Sequence, residues 1–99
     1  MKAADIVERA KTAAKGHLEY ARFVQESEIL HDDRVQDERR QSAYQACWFE
    51  LEIVNALALA EWESAGKPSD WSATWNKRYK KDAEELIVNL CEILLEKKQ

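Results

Sequence analysis

The chain has 99 residues, enough for one domain with its own core, and only two of them are glycine and one is proline. Its 45% hydrophobic and 34% charged residues are typical of a folded, well-solvated protein, and the abundance of helix-forming residues excludes all-β and collagen-like folds. With a net charge of −4 and basic residues spread along the whole chain, nothing indicates the basic surface that nucleic-acid binding requires, so we expect no nucleic-acid partner.

The first predicted element is an amphipathic helix over about residues 3–30. Apolar residues from Ile6 to Val24 recur at spacings of three and four, which places them on one side of a helix. Asp5 and Glu8 lie where an export signal would need an apolar run, so we expect a cytoplasmic protein. The pair Asp32 and Asp33 can cap the next helix, although a continuous helix through this point is an alternative.

The second predicted helix, over about residues 33–65, is apolar on two opposite sides. One side is formed by Tyr44, Cys47, Leu51, Val54, Ala58 and Trp62, and the other by Phe49, Ile53, Ala56 and Ala60. A helix with two apolar sides must bury both, whereas the two neighbours in a three-helix bundle cover only one. The second side is therefore predicted to be an interface, unless a bent bundle buries both sides within one chain.

A loop separates the second helix from a third, predicted over about residues 69–97. Gly66 suits a helix C-terminus, Pro68 cannot continue a helix, and Ser69 can cap the next one. Most apolar residues of the third helix form one stripe. Three lie off that stripe and add to the predicted surplus of apolar surface: Val88, Cys91 and Leu95.

These elements predict an all-α fold, an antiparallel three-helix bundle that forms a single helical domain over residues 1–99. The surplus apolar surface favours association into a homodimer or binding to another protein. The predicted interface consists of Phe49, Ile53, Ala56, Ala60, Val88, Cys91 and Leu95. The apolar stretch over residues 43–62 contains three glutamates, so we expect neither a membrane span nor a membrane partner.

Two groups of residues give weaker indications of ligand binding. Trp62, Trp71 and Trp75 flank the predicted loop and either plug the end of the bundle or line a pocket for a flat or cationic ligand. Glu28 and His31 have the Glu-x-x-His spacing of di-iron carboxylate bundles, but the further ligands of such a site are missing. We therefore predict no metal and no cofactor, and keep these two residues only as weak metal candidates.

Catalysis is not predicted. An up-down-up bundle would place His17 level with Cys47, and Tyr20 level with Tyr44. A cysteine and a histidine can form a nucleophilic pair, but nothing in the sequence provides an orienting group or a glycine-rich oxyanion loop. Both cysteines are expected to be reduced thiols within helices. The residues Lys77, Lys80 and Lys81 are expected to lie on a solvated helix surface.

The leading hypothesis is therefore a small non-enzymatic interaction protein, such as a regulator, inhibitor or adaptor, that acts through an exposed apolar helical surface. The alternative is a helical bundle that binds a small molecule at its tryptophan-lined end, or a metal at Glu28 and His31. The sequence identifies neither the partner nor the biological process.

Overall fold

The computed structural model describes residues 2–30 and 37–95, and this part of the chain forms five packed helices and no strand. The all-helical prediction is confirmed. The helices are α1 (Ala3–Ala10), α2 (His17–Ser27), α3 (Glu38–Ser64), α4 (Ser72–Arg78) and α5 (Lys80–Leu95). They form an elongated body of 47 × 19 × 19 Å. None of the described helices combines the length and the apolar character needed to cross a membrane.

The prediction of one continuous helix over residues 3–30 is wrong, because the chain forms two helices and reverses its direction between them. After α1, residues 11–15 form short turns. The N–H groups of Lys11, Thr12, Ala13 and Lys15 bond to the carbonyls three residues earlier, and Gly16 has an extended backbone. The Arg9 guanidinium then lies 2.7 Å from the Glu26 carboxylate, which requires α2 to run back along α1. This reversal lets Ile6 and Ala13 be buried in the core.

Helix α3 begins at Glu38, later than the predicted residue 33. Asp37 caps it, because its carboxylate accepts a hydrogen bond of 2.9 Å from the Arg39 N–H. Residues 31–36, which include the predicted caps Asp32 and Asp33, lie outside the described part of the chain.

Three side-chain hydrogen bonds fix how α2 and α3 pair in antiparallel directions. The Tyr20 hydroxyl donates to the Leu51 carbonyl at 2.8 Å, and the Trp48 Nε1–H donates to the Val24 carbonyl at 2.8 Å. The Tyr44 hydroxyl donates to the carbonyl of the fully buried Ser27. The prediction that Tyr20 lies beside Tyr44 is therefore wrong. Tyr20 lies beside Leu51, about two helical turns further along α3.

The end of α3 agrees with the prediction. Gly66 has a positive φ of 89°, and its N–H bonds to the Glu63 carbonyl, while the Lys67 N–H bonds to the Trp62 carbonyl at 3.0 Å. These two bonds form a Schellman motif, which satisfies carbonyls at the end of the helix.

The predicted third helix is divided into α4 and α5 at Tyr79. Asp70, and not the predicted Ser69, accepts from the Ser72 N–H and hydroxyl at the start of α4. These hydrogen bonds lower the pKa of the Asp70 carboxyl.

Helix α5 packs against α3 and runs antiparallel to it, while α1 packs against α5 and α2. The direction of α5 follows from two contacts. Glu61 near the end of α3 pairs at 2.8 Å with Arg78, two residues before α5 begins, and the Cys47 Sγ, nearer the start of α3, lies 3.6 Å from the Leu86 carbonyl within α5. The core between the helices is formed by Ile6, Ala13, Tyr20, Phe23, Val24, Tyr44, Cys47, Leu51, Ala58, Trp75, Ala83, Ile87, Leu90 and Leu94.

Candidate functional site

The side of α3 that faces away from the core carries a continuous row of exposed apolar residues. Phe49 and Leu57 are each 59% exposed, and Ile53 is 45% exposed. We call this row the outer stripe, and it consists of Ala46, Phe49, Ile53, Ala56, Leu57 and Ala60, all of them exposed. The alternative that a bent bundle buries both sides of this helix is wrong, because all four residues predicted for the second side are exposed.

Leu57 belongs to the outer stripe although it was not predicted from the sequence. At 100° per residue it lies at the edge of the row, next to Ile53 and one turn from Ala60. Its exposure follows from the direction of the neighbouring helices, which cover only the opposite side of α3.

Acidic residues border the outer stripe. Glu50 lies on the α5 side, where it lines a groove of about 330 Å³ together with Ile53, Asp82 and Glu85. Glu52 lies on the other border and is half-buried. The stripe is therefore an apolar surface with negative charge beside it.

The α5 residues of the predicted interface do not join the outer stripe. Val88 is 53% exposed and lines a groove with Ala10 and Ala14 of the α1 side. Ile53 instead borders the side of α5 that carries Asp82 and Glu85. Of the remaining two residues, Leu95 is exposed near the end of α5 and Cys91 is half-buried. The predicted single patch is therefore two separate surfaces.

The three predicted pocket tryptophans have different environments. Trp75 is fully buried, and its Nε1–H donates to the Ala14 carbonyl at 2.9 Å, so it belongs to the core. Trp62 donates from Nε1 to the Pro68 carbonyl at 2.9 Å. The Trp71 ring lies between His17 and Tyr79, at centroid distances of 5.4 and 5.8 Å.

Trp62 and Trp71 line a cavity of about 470 Å³ between the start of α2, the end of α3 and the loop before α4. His17 contributes its ring to the lining. The other apolar residues of the lining are Leu18, Ala21, Leu59 and Pro68, and the charged ones are Glu19, Lys67 and Asp70. The two tryptophans were predicted from the sequence, whereas the two leucines and His17 were not. Only the antiparallel pairing of α2 with α3 brings these residues together.

His17 is the titratable side chain of this cavity whose pKa is changed most clearly by burial. Burial lowers its pKa, and the nearby Asn55 side chain opposes that shift. Within the described part of the chain, neither His17 Nε2 nor Asn55 Oδ1 makes a hydrogen bond. The neutral imidazole is therefore the favoured form, and it stacks on the Trp75 ring at a centroid distance of 5.6 Å.

The prediction that His17 lies at the same height in the bundle as Cys47 is wrong. His17 lies beside Trp71, Trp75 and Asn55, and Asn55 is two turns of α3, or about 12 Å, from Cys47. Burial, with smaller effects of Glu50 and Cys91, raises the pKa of the Cys47 thiol to about 11. Burial also raises the pKa of Cys91. Both cysteines are free thiols, and the protonated form that these shifts favour is the less reactive one.

Of the two weak metal candidates, only Glu28 lies in the described part of the chain. Glu28 is exposed directly after α2, and His31 lies outside the described residues. Within residues 2–30 and 37–95, no three His, Cys, Asp or Glu side chains lie close enough together to hold a metal ion.

Neither a protein-family model, nor a curated protein, nor a solved structure matches this chain.

Proposed function

We propose that this chain is a non-enzymatic interaction protein that binds a protein partner through the outer stripe of α3. The observation that supports this most directly is the exposure of six apolar side chains in one row on a single helix. Contiguous apolar surface on a small protein is typical of association sites, because water contact with these groups is unfavourable.

Burial of the outer stripe contributes favourably to the free energy of binding. Complete burial of an exposed Phe, Ile or Leu side chain contributes about 1.5–3 kcal/mol. Phe49, Ile53 and Leu57 are each about half exposed, so a partner that covers all three gains a few kcal/mol from them. The alanines of the stripe let the partner's backbone approach closely.

The partner is either a second copy of this chain, which makes it a homodimer, or another protein that it regulates, inhibits or links to a third. Glu50 and Glu52 border the stripe, so a different protein would need basic or neutral residues around its own apolar surface. We place this interaction in the cytoplasm.

The experiment is photo-crosslinking of the whole chain in its source cell. Benzoylphenylalanine at position 49 is expected to form a discrete protein adduct, and the additional substitution Ile53→Glu is expected to remove it. The matched control carries the same photoreactive residue at the exposed position Gln25 on α2. Equal labelling from both positions, or an adduct that Ile53→Glu does not weaken, would contradict the proposal.

A second candidate function is the binding of a small aromatic molecule in the cavity lined by Trp62 and Trp71. Its volume of about 470 Å³ is within the range of ligand pockets, and its walls are mainly apolar. Titration with a set of aromatic compounds should quench tryptophan fluorescence, and Leu59→Trp should prevent this by filling the cavity. Quenching that persists in Leu59→Trp would place the binding elsewhere.

A further inference from the structure

The outer stripe has the residue spacing of a helix that pairs with another helix. Ala46, Phe49, Ile53, Ala56 and Ala60 follow one another at intervals of three, four, three and four residues. This alternation is the heptad pattern of a coiled-coil contact line. All five side chains are exposed, so the contact line is free of partners from within the described chain.

We propose that the outer stripe pairs with the same stripe of a second copy in the antiparallel direction, which makes the protein a two-fold symmetric dimer. This inference rests on the proposed function and names its partner. It follows from the order of large and small residues. Along α3, the pair Phe49 and Ala60 and the pair Ile53 and Ala56 are centred on the same point. This point lies between residues 54 and 55.

A two-fold axis at this midpoint matches each of the two large residues of the contact line with a small one, while Leu57 at the edge of the outer stripe comes level with Glu52 of the other copy. Phe49 of each copy packs over Ala60 of the other, and Ile53 packs over Ala56. Helices pack closely when large side chains face small ones, because the layers then interlock without voids. The contact line from Phe49 to Ala60 is thus complementary to itself, as a symmetric dimer interface requires.

Parallel pairing of the two stripes lacks this complementarity. It places Phe49 against Phe49 and Ala56 against Ala56, which crowds one layer and leaves space in another. In the antiparallel dimer, Glu50 and Glu52 of one copy lie beside the half of the other copy's α3 that carries Leu57 and Leu59. The acidic residues of the two copies therefore lie on opposite sides of the axis, which reduces their repulsion.

The contact is short, which determines the expected affinity. From Ala46 to Ala60 the stripe spans about 21 Å of helix. Such a contact is smaller than a standard protein interface, so we expect a dissociation constant in the micromolar range.

The first experiment is sedimentation of the purified full chain over a concentration series. The unmodified chain is expected to change from monomer to dimer in the micromolar range, and Ile53→Glu should weaken the dimer by at least about tenfold because it buries an unpaired charge. Leu95→Glu is the matched control, since Leu95 is exposed outside the stripe. Circular dichroism checks that both variants keep their helices, and Ala56→Glu serves as a second disrupting variant.

The second experiment determines the orientation. Positions 46 and 63 are equally far from the proposed axis, so Ala46 of one copy lies opposite Glu63 of the other. A short thiol crosslinker should therefore join the two chains in a mixture of Ala46→Cys and Glu63→Cys. Either variant alone should not be joined, because antiparallel pairing separates identical positions by about 25 Å. The unmodified chain reports any background from Cys47 and Cys91.

The outcomes separate this inference from the proposed function. Crosslinking of Ala46→Cys to itself would show parallel pairing and overturn the inference, while leaving the interaction surface in place. A chain that stays monomeric at all concentrations would also overturn it. If photo-crosslinking at position 49 then also gave no stripe-dependent adduct, the proposed function would fall as well.

Discussion

Tyr20 joins α2 to α3 through one buried polar contact. Its ring is fully buried, and its hydroxyl donates to the Leu51 carbonyl at 2.8 Å. Burial, with smaller contributions from Glu52 and Cys47, raises the pKa of this phenol far above its ordinary value. The hydroxyl is thus a neutral hydrogen-bond donor at all physiological pH values.

Tyr20→Phe is expected to lower the free energy of unfolding by about 1–2 kcal/mol, because the packing is kept and only the hydrogen bond is lost. Urea unfolding measures this change. Tyr79→Phe is the matched control: its hydroxyl contacts Glu61, which keeps its ion pair with Arg78. A loss in Tyr79→Phe as large as that in Tyr20→Phe would contradict the assignment.

His17 should make the stability depend on pH. Burial lowers its pKa in the folded chain below the ordinary value of 6.5, so the unfolded chain binds a proton more readily. Stability is therefore expected to fall as the pH drops from the unfolded pKa to the lower folded pKa.

The measurement compares the unmodified chain with His17→Gln by urea unfolding at about pH 7.5 and about pH 5. The difference between the two pH values should be smaller in the variant, since glutamine does not titrate. Identical pH dependence in both chains would show that other groups cause the effect.

The element with the most sharply defined boundary is α3, which ends in the Schellman motif at Gly66. Gly66 has a φ of 89°, and an added Cβ would meet no atom within 4 Å. Gly66→Ala should therefore lower the free energy of unfolding by about 1 kcal/mol, from backbone strain alone. Thermal unfolding measures this change.

Lys67 provides the opposite test at the next position. It also has a positive φ, of 55°, with a side chain that disfavours this conformation. Lys67→Gly should thus be neutral or slightly stabilising. If Gly66→Ala were neutral and Lys67→Gly destabilising, the left-handed conformation would not be the cause.

At the scale of the whole molecule, self-association should link stability to concentration. Ligands and partners that bind only the folded state stabilise it by mass action. If two copies pair through the outer stripe, Tm should rise with protein concentration in the unmodified chain and rise less over the same concentrations in Ile53→Glu. A concentration-independent Tm in both chains would contradict dimerisation.

The sequence was sufficient for features that depend on local order along one helix. Helix content follows from composition and spacing, the end of α3 from Gly66, and the outer stripe from the positions of Phe49 and Ile53. Each of these is determined by residues within a few turns of one another, so periodicity and capping chemistry identify them directly.

The tertiary structure decided how the helices face one another. Apolar spacing is the same on both sides of a chain reversal, so it gave no sign that α1 and α2 fold back at Gly16. The level of Tyr20 with Leu51, the core position of Trp75 and the separation of Val88 from Ile53 all depend on this path. Periodicity records the angle of a residue around its own helix, whereas the directions and levels of neighbouring helices come from packing between residues far apart in the sequence.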